Sequence, residues 1–195
     1  IVMGNMHASL FSDDVLTKGY ADFVIHREGE MAMLELLQAL ENKSGLESVK
    51  GISFKKNNVI VNNPMTPHID NLDALSFPAW DLFPMDKYST DPRTEVKKGA
   101  VEMTILATRG CPNQCTFCSS RTDRSLGSHY RMRNPKSVVD EMLYMNKKYD
   151  SDIFSFVDLA FPLVRKHAVE LCNEIINRGL DKKLKWVTEC RVKPL

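Results

Sequence analysis

The sequence predicts an α/β protein built in two blocks. Short apolar runs alternate with segments of helical period on both sides of a proline-rich stretch. The runs are a few residues long and bounded by turn residues, as strands are. The second block repeats strand, helix, strand, helix, strand with short connections, which is the opening of a (β/α) barrel.

The predicted divisions are 1–62, a connector over 63–100, and 101–195. Ile1-Val2-Met3-Gly4 reads as a strand end entering a loop, and Phe23-Val24-Ile25-His26 as a second strand. Glu30 to Leu40 reads as a helix with Leu34, Leu37 and Leu40 on or near one face. This alternation predicts a parallel sheet covered by helices. Gly51–Phe54 and Val59–Val61 flank Lys55-Lys56-Asn57-Asn58, a hairpin signal. In the connector, Pro64, Pro67, Pro78, Pro84 and Pro92 interrupt every helical period. Phe77, Trp80, Phe83 and Tyr88 predict that it lies against a surface, since disordered linkers carry fewer aromatics.

In the last block, Val101 to Ala107 reads as a strand. Asn134-Pro135 is a helix start, followed by Val138, Met142, Met145 and Tyr149 at helical spacing. Ile153 to Val157 is the next strand. Ala168, Leu171, Cys172, Ile175 and Ile176 mark a second helix stopped by Gly179, and Lys185 to Cys190 a third strand. Barrel ligands sit at the carboxyl ends of the strands, where Cys111, Asp158 and Arg191 fall.

Composition narrows the function. Of 195 residues, 43% are hydrophobic and 26% charged, the balance of a soluble globular chain. A net charge of +1 gives no basic footprint, so nucleic acid is not an expected partner. No apolar run approaches membrane-span length, and no signal-peptide pattern is present. Five cysteines, three of them clustered, fit a reducing compartment and predict a cytoplasmic protein. The start at Ile1, inside an apolar run, leads us to expect a fragment.

The cluster carries the chemistry. Cys111, Cys115 and Cys118 stand as C-x3-C-x2-C in Arg109-Gly110-Cys111-Pro112-Asn113-Gln114-Cys115-Thr116-Phe117-Cys118. Three thiols cannot all pair as disulfides, but they can converge on one metal centre. A [4Fe–4S] cubane normally takes four thiolates, so three leave one iron open to a substrate or cofactor. Gly110 frees the turn out of the strand, and Pro112 lowers the entropy lost on wrapping a cluster. A structural zinc site would need a second C-x2-C or a His pair, and neither is present. A plant-type ferredoxin uses C-x4-C-x2-C. Zinc and electron-carrier modules are the competing readings.

The string Thr108 to Cys118, with Phe117 before the last cysteine, resembles the signature of the radical S-adenosylmethionine enzymes, in the branch that carries a cobalamin-binding domain ahead of the radical domain. The resemblance implies the end of a Rossmann-like cobalamin-type domain followed by the first half of a (β/α) radical partial TIM barrel. It implies a [4Fe–4S] cluster on Cys111, Cys115 and Cys118 whose open iron chelates S-adenosylmethionine. Reductive cleavage then yields a 5′-deoxyadenosyl radical. The implied reaction is cobalamin-dependent methyl transfer or related radical chemistry on a small molecule, with a reductant such as flavodoxin or ferredoxin. Transfer-RNA methylthiotransferases share the cluster motif but bring three further cysteines in their amino-terminal domain, and none precedes Cys111 here.

Further positions follow from the same resemblance. Phe117 matches an aromatic near the adenine of S-adenosylmethionine; simple loop packing is the alternative. Phe156-Val157-Asp158-Leu159-Ala160-Phe161 matches a second-strand motif with two acids. Asp158 holds the first acidic position and implies a partner for the cofactor's amino group, or else a cap on the following turn. Leu159 replaces the second acid. Trp186 to Arg191 matches the third strand, with Glu189 and Arg191 on one face. They either reach the ribose, amino or carboxylate groups of the cofactor or form an exposed ion pair. Arg131 and Arg133 read as positioning the loop after the cluster, Asp140 and Glu141 as a solvated helix face, and Cys172 as core. Cys190 is not counted as a ligand. Val2 to Ser9 and Phe23 to Glu30 resemble the last strands of the cobalamin-type domain. Asn5 and Arg27 stand where that family has glycine, which counts against cobalamin as a further cofactor. No cobalt-ligand motif is present, so His7 and His26 read as ordinary loop histidines.

Overall fold

The computed structural model describes residues 1–87, 101–118 and 129–190. The chain divides into two compact units, one over Ile1–Ile69 and the other over most of the chain from Asp70 onward.

The first unit holds β1 (Val2–Met3), α1 (Asn5–Leu10), α2 (Ser12–Thr17), β2 (Phe23–Ile25), α3 (Glu30–Glu41), β3 (Ile52–Lys56) and β4 (Val59–Asn62). Its sheet runs β1-β2-β3-β4. Only β1 and β2 are parallel; β2–β3 and β3–β4 are antiparallel, so the sheet is mixed rather than the parallel one expected. The hairpin explains part of this. Lys56 faces Val59 across Asn57 and Asn58, at φ 50° and 64°. Two positive φ values in a two-residue loop make the type I′ turn that asparagine tolerates and a right-twisted antiparallel pair requires.

Ala8, Val15, Leu16 and Val24 form one small core, and Ile25, Ala32, Leu36, Ala39, Ile52 and Phe54 a second. The buried stripe of α3 is therefore Ala32, Leu36 and Ala39. Leu34, Leu37 and Leu40 are 48%, 56% and 45% exposed, contrary to the sequence reading. Leucines spaced by three drift around a helix, whereas 32, 36 and 39 keep to one face. The alanines also allow a close approach, since a Cβ on Gly51 would lie 3.4 Å from that of Ala32.

The second unit holds β5 (Glu102–Ile105), β6 (Thr108–Arg109), β7 (Arg131–Met132), α4 (Pro135–Tyr149), β8 (Ile153–Phe156), α5 (Arg165–Asn177) and β9 (Lys185–Thr188). The sheet β5-β8-β9 is parallel throughout, with Ile105 opposite Phe156 and Phe156 opposite Thr188. Asn134 caps α4 by accepting the Lys136 N–H at 2.9 Å, with Pro135 in the first turn. Met103, Ile105, Phe154 and Phe156 pack on Val138, Met142, Met145, Leu171 and Ile175. The buried row of α5 is His167, Leu171 and Ile175; Ile176 is exposed and Cys172 only half-buried.

The proline-rich stretch is divided between the units. Gly51 N–H donates to the Pro64 carbonyl at 2.7 Å, and the Ile69 N–H donates to Glu28 at 2.9 Å. Trp80 and Met85 pack against the second core, and Phe77 lies 5.9 Å from Tyr144, ring to ring. Tyr88 lies outside the described residues. Among the described residues, no helix is long and apolar enough to cross a membrane.

A candidate metal and cofactor site at the strand ends

The parallel ladder between β5 and β8 closes with the Val157 N–H donating to the Ile105 carbonyl at 3.1 Å. Beyond it the chain leaves the sheet. Thr108–Arg109 pairs with Arg131–Met132 as a short antiparallel β6–β7 bridge, which sequence reasoning missed. Gly110 follows at φ 80°, a left-handed turn that suits glycine. Residues 111–118 form no strand or helix, and the Cys118 N–H donates to the Cys115 carbonyl at 3.2 Å.

Cys111 is buried and Cys115 and Cys118 are half-buried, and none of the three is in a disulfide. The Asn113 side-chain amide donates to the Cys111 sulfur at 3.4 Å. Among the described residues, no three His, Cys, Asp or Glu side chains are drawn together into a formed metal centre. The donor set nonetheless suits a thiolate-held cluster: three cysteines outside any disulfide, on one stretch outside any sheet ladder, with the Cys111 sulfur accepting an amide hydrogen.

The other candidate residues fall around this loop in different states. Phe117 is 92% exposed among the described residues. Glu189 is exposed just past β9, and Arg191 lies outside the described residues. Asp158 is engaged. Its Oδ1 accepts the Thr108 N–H and hydroxyl, each at 2.5 Å, and both oxygens accept the Ala107 N–H at 3.2 Å. Burial pushes its carboxyl up from the ordinary value, against the pull of these donors. Tyr130 lies beside it. Burial, with the nearby charges of Asp158 and Cys111, raises its phenol, and its hydroxyl is buried without a hydrogen bond of normal geometry among the described residues.

Two residues read as solvated divide. Asp140 is exposed and pairs with Arg178 at 2.5 Å. Glu141 is 2% exposed and pairs with Arg133 at 2.5 Å, because α4 turns this position toward the core. Burial raises its carboxyl, and Arg133 offsets part of that rise. Arg133 also donates to the Leu106 carbonyl at 2.8 Å, tying α4 to the end of β5. His167 on α5 bonds the Arg133 carbonyl at 2.7 Å. A cavity of about 190 Å³ lies nearby, lined in part by Phe77, Trp80, Arg109 and Val157. It is below the roughly 300–1,000 Å³ of ligand pockets.

In the first unit, Asn5 and Arg27 follow the carboxyl ends of β1 and β2 at φ 70° and 59°. Both keep the left-handed backbone that glycine would adopt. His26, in the loop after β2, is 4% exposed and bonds the Ser53 hydroxyl at 2.7 Å. Burial lowers its basicity.

Known proteins are similar to this chain in sequence or fold. An uncharacterized methyltransferase of Pyrococcus horikoshii is 32% identical over 193 residues, 98% of this chain and 40% of its own length. An anaerobic magnesium-protoporphyrin IX monomethyl ester cyclase of Cereibacter sphaeroides is 32% identical over 195 residues, 98% of this chain and 30% of its own. The radical S-adenosylmethionine methyltransferase TsrM of Kitasatospora setae, solved with cobalamin and a [4Fe–4S] cluster, matches at a TM-score of 0.70 and 20% identity, over 100% of this chain and 38% of its own. In sequence the chain is similar to a methyltransferase and a cyclase, and in fold to a radical S-adenosylmethionine methyltransferase. Its fold is that of the cobalamin-dependent branch, over part of the length of those enzymes. The chain spans 40% and 30% of the length of the two curated relatives. No protein-family model matches it.

Proposed function

We propose that this chain forms the cluster-binding part of an enzyme that reductively cleaves S-adenosylmethionine, in cobalamin-dependent methyl transfer or related radical chemistry. The observation that carries the reading is the C-x3-C-x2-C loop of Cys111, Cys115 and Cys118, outside any disulfide, beyond the carboxyl end of the parallel strand β5. When bound there, a [4Fe–4S] cluster would supply an electron and an open iron. The residues of the chain do the rest. The three cysteines hold the metal, and Asn113 donates to the Cys111 sulfur, the kind of contact that tunes cluster potential. Phe117 offers an unpacked aromatic face to an adenine. Glu189, with Arg191, offers polar groups at the end of the third strand. A methyltransferase and a cyclase among the relatives support a small-molecule substrate, and the chemistry needs an electron donor such as flavodoxin or ferredoxin. Completion of β5-β8-β9 into a barrel would shield the site from water.

Cobalamin is part of this reading because the backbone at Asn5 and Arg27 keeps its glycine-like shape. Their side chains would crowd a nucleotide tail, so affinity should be weak and should rise on Asn5→Gly with Arg27→Gly. The deciding assay is 5′-deoxyadenosine or S-adenosylhomocysteine formation, with dithionite or flavodoxin, by the complete reading frame that carries this chain. Product that disappears in Cys115→Ala supports the reading. A fully assembled cluster that neither binds nor turns over S-adenosylmethionine would leave an electron carrier.

A further inference from the structure

We propose that Asp158 is a positioning residue for the cysteine loop, acting by holding the Ala107 and Thr108 amides where β5 turns toward Cys111. The inference rests on the proposed function only for the ligand role of Cys111.

Backbone hydrogen bonding sets the requirement. Up to Ile105, β8 satisfies the edge of β5 along the parallel ladder. At Ala107 the chain diverges, and the next strand no longer offers its amides a carbonyl. A buried N–H without an acceptor is costly. The Asp158 side chain supplies the acceptor, taking the Ala107 and Thr108 N–H groups and the Thr108 hydroxyl. The Ala107 carbonyl on the other side accepts the Arg133 N–H at 2.9 Å. Residues 107 and 108 are thus held in place four and three residues before Cys111, with the left-handed Gly110 between Thr108 and Cys111. Oδ1 alone carries three donors and is committed to this segment, while Oδ2 shares the Ala107 N–H at 3.2 Å. Leu159, at the next position, is 62% exposed and has no polar group to offer. The carboxylate therefore serves the loop that presents Cys111, which is itself only 7% exposed.

The exchange and alkylation measurements use the 195-residue chain without iron or S-adenosylmethionine, so that they stand or fall independently of the enzyme reading. Asp158→Ala should speed hydrogen exchange at Ala107 and Thr108, and alkylation of Cys111, by about tenfold or more, with a smaller effect in Asp158→Asn. Exchange in Ile153–Phe156 and alkylation of Cys190 should not change. Thr108→Val should give part of the effect and Thr108→Ser should restore protection. After anaerobic reconstitution, the cluster midpoint potential should shift in Thr108→Val and return in Thr108→Ser. If Asp158→Ala also opens β8, the Asp158→Asn and Thr108 variants carry the measurement. Unchanged exchange and Cys111 reactivity in a folded Asp158 variant would overturn the proposal. So would an unmoved potential in Thr108→Val.

Discussion

The two units place their exceptional groups differently. In the first, the exception is in the backbone: Asn5 and Arg27 hold left-handed φ at the ends of neighbouring parallel strands. In the second it is in side chains: Asp158 and Glu141 are carboxyls raised by burial, each tied to the exit of β5. The contrast teaches that a strand end can be kept in shape in two ways. The first unit keeps a left-handed path at two non-glycine residues, and so stores strain. The second holds a diverging chain by adding acceptors, and so stores desolvation.

The largest effect should come from the side-chain device. Glu141→Ala leaves the Arg133 guanidinium short of its buried partner, and should destabilise the second unit by about 3 kcal/mol in denaturant unfolding. A loss no greater than that of an exposed pair would remove Glu141 from the comparison.

The backbone device should show the opposite sign. Arg27→Gly relieves a left-handed non-glycine residue and should stabilise the first unit by about 1 kcal/mol. It also removes a buried Nε that has no hydrogen-bond partner among the described residues. Arg27→Ala keeps the strained φ and should gain less. Equal gains from both would show that the side chain, not the backbone, carries the cost.

A smaller effect separates the units by pH. His26 is lowered from its ordinary 6.5, so its folded state favours the neutral ring. That contribution is present above 6.5 and is lost as pH falls through the folded value. Glu141 and Asp158 are raised from 4.5 and 3.8, so folding favours their protonated forms. Their contribution is present below those values and is lost as pH rises through the folded ones. Mild acidification should therefore weaken hydrogen-exchange protection in the first unit before it weakens the second. Parallel loss in both would contradict this.

What the sequence reveals depends on how local the cause is. The Asn57-Asn58 turn, the Asn134-Pro135 helix start and the cysteine spacing each act within a few residues, and all three are legible in the order of the amino acids. The buried face of α3 is not, because leucine and alanine stripes compete and closeness to the sheet selects the alanines. Glu141 reads as solvent-facing until Arg133 is seen beneath it. The partners of Asp158 lie a whole strand–helix unit earlier, on Ala107 and Thr108, and only the parallel register brings them together. Its motif points to a carboxylate at the strand end but not to what that carboxylate holds.

The central claim is that Cys111, Cys115 and Cys118 hold one iron–sulfur cluster. Its most direct test is iron and sulfide content, with the visible spectrum, after anaerobic reconstitution. The account predicts about four irons per chain, lost on replacing any one of the three by Ala and kept in Cys172→Ala and Cys190→Ala. A stoichiometric zinc site with no brown chromophore, or a cluster that survives Cys111→Ala, would contradict it.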